Sequence, residues 1–468
     1  MDWLSQTLGF LDNDIDEFKL CPEHPSPIRT VTLSRENISG MFNLMVSASW
    51  SEHFTNPLPQ LQTAEGQQRE GIIVVMHPRL PLSDPNQQAA LALPYGQTTF
   101  LEATKKLFQH RSLSYVVKRT ATTSFDKRLV SWSVNGLPTS ARVYHCRSDT
   151  VSPKRPSDKR DIALSVTTFP HQRMTYAFMY GCEESTMKRV RSWLKSLENQ
   201  VPHPLFMPLM FAELERDRLV NVVDWTNQEL EVRIRTLQNQ SPAYHTAGQQ
   251  DSVPLAAITQ RRDCEAMRQW MDVSALKNGL QSFRAQLERM AEHCQALAKT
   301  DFMRPDGSAD KFAGERNMGL QIRSRLKEMV AECDSKVRNC ETMLGGAALA
   351  AQVESNFYTR QYSEDTITIA GAAQKDSSQM RGIALLGMIF LPGTFLASLF
   401  STSFFDWKTA DGGIFVSPYF GLYCALAVAV TTVTWYAMDK WMERQKRYSK
   451  KYPKSEEDDR SLTSDSIV

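Results

Sequence analysis

The chain has 468 residues, with 54 lysines and arginines against 52 aspartates and glutamates. That length suits two or three folded units, and the near balance of charge gives no sign of a nucleic-acid partner. The average hides an asymmetry, because apolar residues pile up after Met380 while the preceding part reads as an ordinary soluble protein.

Met1, Asp2 and Trp3 lead into an acidic stretch without the basic and apolar regions of a signal peptide, so the N-terminal part is expected in the cytosol. Asp12, Asp14, Asp16 and Glu23 have calcium-loop spacing, but Glu17 stands where such a loop needs glycine. They are read as a solvated acidic stretch. Residues 1–200 are expected to form a mixed α/β domain. Its strands are predicted at 72–76, 113–118, 129–134, 141–146, 162–169 and 174–181, the last two forming a hairpin. Helices are predicted around 100–109 and 184–198, and loops at 56–70 and 152–160.

Residues 201–379 read as a helical domain. A helix is expected over 205–237, then a polar linker over 238–253. In the next helix Leu276, Leu280, Phe283, Leu287, Met290, Cys294 and Leu297 recur every three or four residues, a coiled-coil-like seam. A second seam runs Ile322, Leu326, Met329, Cys333, Val337, Cys340, Leu344, Ala347 and Ala351. The turn signal at 304–308 predicts that the two pair antiparallel, and Gly345 with Gly346 is read as a close-packing point. No stop signal precedes the apolar region, so one stalk helix is expected from about Asp310 onward.

Residues 380–439 form the expected two-helix membrane hairpin. Two charge-free stretches, about 24 and 27 residues long, each exceed the ~20 needed to cross a ~30 Å hydrocarbon core. The spans are placed at about 381–404 and 413–438. Lys375 and Arg381 precede the first span, a run of cations follows the second, and the turn holds only Lys408. The positive-inside rule then puts both termini in the cytosol, in a multi-pass integral membrane protein. Residues 440–468 are a basic then acidic tail.

Little in the chain speaks for catalysis. The eight cysteines are scattered without a C-x-x-C, as reduced thiols would be, and the nine histidines lack zinc-ligand spacing. No phosphate-binding glycine loop, G-x-S-x-G or kinase set is present, so no enzymatic activity and no resident cofactor are expected. The fold class is α+β: an N-terminal cytosolic α/β domain, a long helical hairpin with its stalk, and a C-terminal two-helix transmembrane hairpin.

The segment 375–404, with Pro392, Gly393, Thr394 and Phe395 at its centre, resembles the CorA family of divalent-cation transporters, above all its divergent eukaryotic members. In that family a stalk helix enters the membrane, carries Pro-x-Thr-Phe and ends in Tyr-Gly-Met-Asn-Phe. Here Ser401, Thr402 and Ser403 take the place of Gly-Met-Asn. The resemblance covers roughly the last quarter of the chain and implies a homopentamer whose first span lines a central pore. It implies pore-lining roles for Ser377, Met380, Ile383, Gly387, Leu391 and Thr394, which step by three and four along one helix face. Asp406 and Asp411 would ring the outer mouth, and Lys440, Arg444, Lys446, Arg447, Lys450 and Lys451 the inner one. Asp334, Glu341, Glu354 and Asp365 are stalk carboxylates that would suit a regulatory cation. The implied partners are the bilayer, further copies of the chain, and magnesium or another divalent cation. The missing Gly-Met-Asn keeps a second reading open, a non-conducting membrane-anchored scaffold or metal sensor of the same architecture.

Overall fold

The computed structural model describes residues 8–22, 28–36, 39–47, 70–80, 92–118, 122–134, 137–150, 161–196, 203–239, 255–303, 310–401 and 418–451. Strands are β1 (Lys19–Leu20), β2 (Ile28–Glu36), β3 (Ser39–Ser47), β4 (Glu70–Pro78), β5 (Ala92–Leu93), β6 (Ser124–Val134), β7 (Leu137–Arg147), β8 (Ala163–Phe169) and β9 (Met174–Cys182). Helices are α1 (Asp12–Ile15), α2 (Gln97–Lys106), α3 (Leu113–Lys118), α4 (Glu184–Ser196), α5 (Phe206–Asn239), α6 (Leu255–Thr300), α7 (Ala313–Phe400) and α8 (Pro418–Lys451). The class is α+β, mostly helical, with one large sheet. By contacts the chain divides into Met1–Glu354 and Ser355–Val468.

In the first unit seven strands form a sheet in the order β3-β2-β4-β9-β8-β7-β6. All neighbours are antiparallel except β4 and β9, and β8 and β9 form the expected hairpin. β4, β8 and β9 are buried along nearly their whole length because both faces of the sheet are covered. Alternation sorts the side chains. Ile72, Val74, Met76, Leu164, Val166, Ala177 and Met179 face a core shared with α4, α5, α6 and α7. Ile73, Val75, Tyr176, Phe178 and Tyr180 face a second core with Ile15, Phe100, Ala103 and Leu113. Burying one such Ile or Phe side chain contributes about 1.5–3 kcal/mol.

Three expectations are corrected. Residues Leu113–Lys118 are helical, not a strand. A six-residue apolar run has too little length to fix its period, and Leu113 and Val116, three apart, are the buried pair that a helical turn brings together. Asp14 is not solvated: it is buried against Arg111 at 2.9 Å and accepts from Ser114 Oγ at 3.1 Å. The pair Gly345 and Gly346 is not a joint packing point: a Cβ at Gly345 would meet nothing within 4 Å, and only Gly346 packs, in ordinary contact with Leu230. Past Cys340 the buried positions are Met343 and Ala350 rather than Leu344 and Ala351. The seam has rotated towards α5, whose Leu230 lies over Gly346 and whose Arg233 pairs with Glu354 at 2.9 Å.

The other seam positions are buried as expected, from Leu276 to Leu297 on α6 and from Ile322 to Cys340 on α7, with Val337 partly covered. The two helices run antiparallel: Cys294 Sγ donates to Gly319 O, Arg284 pairs with Asp334 and Lys277 with Glu341. α5 adds Glu213 to Arg325, Arg216 to Glu332 and Asp224 to Lys336 along the same helix. Of the predicted loops, 56–69 and 152–160, the turn 304–308 and most of the linker lie outside the described residues.

Candidate functional site

The second unit holds the rest of α7 together with α8. Both helices are long and apolar enough to cross a membrane. Their apolar side chains are not a soluble core: Met380 and Ile383 are 70% exposed and Leu391 69%. So long an uncovered apolar surface needs lipid or further protein around it.

Within this unit one side of each helix is set apart. On α8, Tyr423, Ala427, Thr431, Thr434 and Met438 recur every three or four residues and are half-covered, while their neighbours are exposed. The Tyr423 hydroxyl donates to the Gly393 carbonyl of α7 at 3.4 Å. On α7 the buried side chain near that contact is Leu396. These residues mark the sides on which the two helices meet.

The predicted pore row lies elsewhere on α7. At about 100° per residue, Ser377, Met380, Ile383, Gly387, Leu391 and Thr394 fall within an arc of about 120°. Gly393 and Leu396 are about 140–160° from its centre. On that opposite side Ser377, Met380, Ile383, Leu391 and Thr394 are exposed and Gly387 is half-covered. Thr394 Oγ1 donates to the Phe390 carbonyl at 2.9 Å, as a hydroxyl inside a helix commonly does. Its oxygen still presents lone pairs as an acceptor. The Ser401 N–H donates to Ala397 O at 3.0 Å, carrying the last turn of α7 to Ser401. Thr402, Ser403, Asp406 and Asp411 lie outside the described residues. Lys440 and Arg444 are exposed on α8, and Lys446, Arg447, Lys450 and Lys451 occupy its final turns.

The stalk carboxylates are differently placed. Asp334, Glu341 and Glu354 each pair with a cation of α5 or α6 in the same chain, at 2.6, 2.9 and 2.9 Å. Among the described residues no three His, Cys, Asp or Glu side chains are grouped to hold a metal. Asp365 is on the exposed part of α7.

The sequence reading did not find the buried polar nodes of the α/β unit. Ser112 Oγ lies 2.7 Å from His110 Nδ1 and 2.8 Å from His145 Nε2. Burial pushes those imidazoles down to about 4 and about 3. A serine against a neutral imidazole is the local geometry of a nucleophile and its base. Ser112 is only 1% exposed, however, so it is sealed from any substrate in this conformation. Glu215 and Arg218 form a second node, bonded at 2.7 Å, with the Asp149 N–H donating to the same carboxylate at 2.8 Å. Burial raises the Glu215 pKa, but Arg218 and the donated hydrogen bonds outweigh it and hold the carboxyl below its ordinary value. Asp161 is shared by Arg79 and Arg147 at 2.6 and 3.3 Å. These nodes join strands to helices and satisfy buried charge.

No family model matches the chain. A curated relative, the notoamide biosynthesis cluster protein M' of Aspergillus versicolor, is 35% identical over 60 residues, which is 13% of each protein. The chain thus spans about an eighth of that relative's length in the match. Among solved structures, that of the full-length CmaX protein is 13% identical with a TM-score of 0.38, covering 89% of this chain and 98% of the other. The CorA magnesium transporter from Methanocaldococcus jannaschii is 9% identical with a TM-score of 0.28, covering 87% and 96%.

Proposed function

We propose that the chain is a CorA-like channel or transporter for divalent cations, assembled from several copies around the Ser377–Thr394 face of α7. The observation that carries this reading is the division of α7 into two sides. Gly393 meets α8 and Leu396 is buried near that contact, while Ser377, Met380, Ile383, Leu391 and Thr394 of the predicted row stay exposed on the far side. Copies assembled about that row would enclose it, with α8 left outside towards lipid, and five copies are what the sequence resemblance implies. Met380, Ile383 and Leu391 would then form apolar rings able to gate by dewetting, with hydroxyl rings at Ser377 and Thr394. A hydrated magnesium ion releases water reluctantly, so rings that accept hydrogen bonds from its water shell suit it. Inward passage would be driven by the membrane potential, at about 4.6 kcal/mol per 100 mV for a divalent ion.

The departure at Ser401, Thr402 and Ser403 favours the second reading, a non-conducting scaffold or sensor. A serine oxygen can accept from the water shell but reaches less far than an asparagine amide. The test is dye-reported uptake of magnesium, cobalt, nickel and zinc into proteoliposomes, beside native mass measurement of the assembly. Uptake by a pentamer supports the channel. A pentamer that passes none of these ions supports the scaffold, and a monomer removes the pore.

A further inference from the structure

α8 does not end where its apolar stretch ends. The charge-free stretch closes at Met438, and the helix continues to Lys451. On that extension the register sorts the charges. Lys440, Arg444, Arg447 and Lys451 step by four, three and four and share one face, on which no acidic residue falls. Asp439, Glu443, Lys446 and Lys450 form a second row by the same spacing, two acids followed by two bases. Lys440 also lies 3.5 Å from Glu443 and 5.9 Å from the Tyr436 ring centre. At about 100° per residue, the two rows lie on opposite flanks of α8, each about 130° from the half-covered Tyr423–Met438 side that marks contact with α7.

We propose that this face is a docking surface for the headgroups of anionic phospholipids. The inference rests on the reading of α7 and α8 as a membrane hairpin. A helix leaving a bilayer carries its first turns through the headgroup layer, where Trp435 and Tyr436, both over 60% exposed, are suited to sit. Both rows are turned from the partner helix, but only one carries four cations and no acid, and each cation near an anionic surface adds to the attraction. In the second row the acids at Asp439 and Glu443 offset the bases. The preference should therefore follow the face and not the number of charges.

The experiment compares the full chain with two variants of equal charge change, Arg444→Gln/Arg447→Gln and Lys446→Gln/Lys450→Gln. Each is first checked for retention in carbonate-washed membranes, then purified in neutral detergent with equimolar phosphatidylserine and phosphatidylcholine. Native mass spectrometry counts the lipids kept. The parent chain should favour phosphatidylserine. The Arg444/Arg447 variant should lose that preference by about fivefold or more, and the Lys446/Lys450 variant by less than about twofold. The preference should also fade as salt is raised from about 0.1 M to 1 M. Equal losses in both variants, or no preference in the parent chain, overturn the proposal. So does a preference that emerges only after Glu456, Glu457, Asp458 and Asp459 are neutralised, because the row's occupant would then be the chain's own tail. Ion flux is not read, so a chain that passes no cation still decides this question. A chain lost from washed membranes refutes the hairpin reading itself.

Discussion

Arg173, in the turn between β8 and β9, places its guanidinium against the carboxylate of Glu315 in the first turn of α7. Glu315 is 1% exposed, and the contact is a close electrostatic one without the alignment of a good hydrogen bond. Arg173 also pairs with Glu70 at 3.0 Å and lies over the Phe312 ring at 5.8 Å. Its φ is 54°, a left-handed conformation that costs a non-glycine residue roughly 1–2 kcal/mol. One residue with a strained backbone thus joins the sheet's hairpin to the start of the stalk.

The two members of that pair should not respond alike. Glu315→Ala should destabilise the fold by about 1–3 kcal/mol, because Arg173 loses one counter-charge but keeps Glu70. Arg173→Ala should cost more, about 3–5 kcal/mol, because it leaves the buried Glu315 carboxylate unpaired, while Arg173→Gly should recover about 1 kcal/mol of that by relieving the left-handed strain. Denaturant unfolding of the full chain in detergent reads all three. An Arg173→Gly variant no better than Arg173→Ala would show that the strain is of no consequence.

Two glycines of α7 should respond in opposite directions. A Cβ at Gly319 would stand 3.2 Å from His203 Nε2 and 3.4 Å from Cys294 Sγ, inside a packed joint. His203 is buried and accepts the Leu205 N–H at 3.1 Å, so it has little room to shift. Gly319→Ala should therefore lose stability by about 1–3 kcal/mol despite the better helix propensity. Gly345→Ala meets nothing and should gain about 1 kcal/mol. The same unfolding measurement checks both.

These two glycines also mark how far the sequence could be read. The seams from Leu276 to Leu297 and from Ile322 to Cys340 repeat regularly, and their burial follows that repeat. Beyond Cys340 two phases fit the sequence equally, and α5, over 100 residues earlier, selects one of them. Central strands such as β4 and β9 announce themselves as apolar runs. β2 and β3, with Arg29, Arg35, Glu36 and Gly40 among their residues, did not. The nodes at Ser112 and Glu215 are invisible for another reason: their partners are brought together only by tertiary folding. The row proposed to line a pore is legible as a helical face, whereas the side of α7 that α8 contacts at Gly393 required the structure.

Acid should weaken the α/β unit before its carboxylates titrate. Burial lowers the imidazoles of His77, His145 and His203 from 6.5 to about 3, and those of His110 and His293 to about 4. The unfolded chain takes up protons at these sites below about pH 6.5, and the folded chain does not until about pH 4. Stability therefore falls with pH through that window, by up to about 1.4 kcal/mol per pH unit for each histidine. Glu215 works lower. Its depressed pKa contributes stability above the ordinary carboxylate value of 4.5, and that contribution is lost on further acidification. Unfolding midpoints between pH 7 and 5 should drop steeply, and His77→Gln should reduce the slope. A flat profile would mean that these histidines are protonated in the folded state.

The two sides of α7 give the sharpest test of the pore reading. Leu391 belongs to the open row and is 69% exposed, whereas Leu396, five residues on, is 8% exposed near the contact with α8. If Leu391 forms an apolar constriction, Leu391→Ser should wet it and raise resting divalent-cation leak into proteoliposomes by about tenfold. Leu396→Ser should instead weaken the pairing of the two helices, lowering thermal stability in detergent without opening a leak. Thr394→Val keeps the shape but removes the hydroxyl that faces the same side, so uptake should fall while assembly is retained. Similar leak from the Leu391 and Leu396 variants would mean that the row does not line the path. In that case α7 would be a membrane anchor whose exposed face packs against lipid, and the scaffold reading would stand.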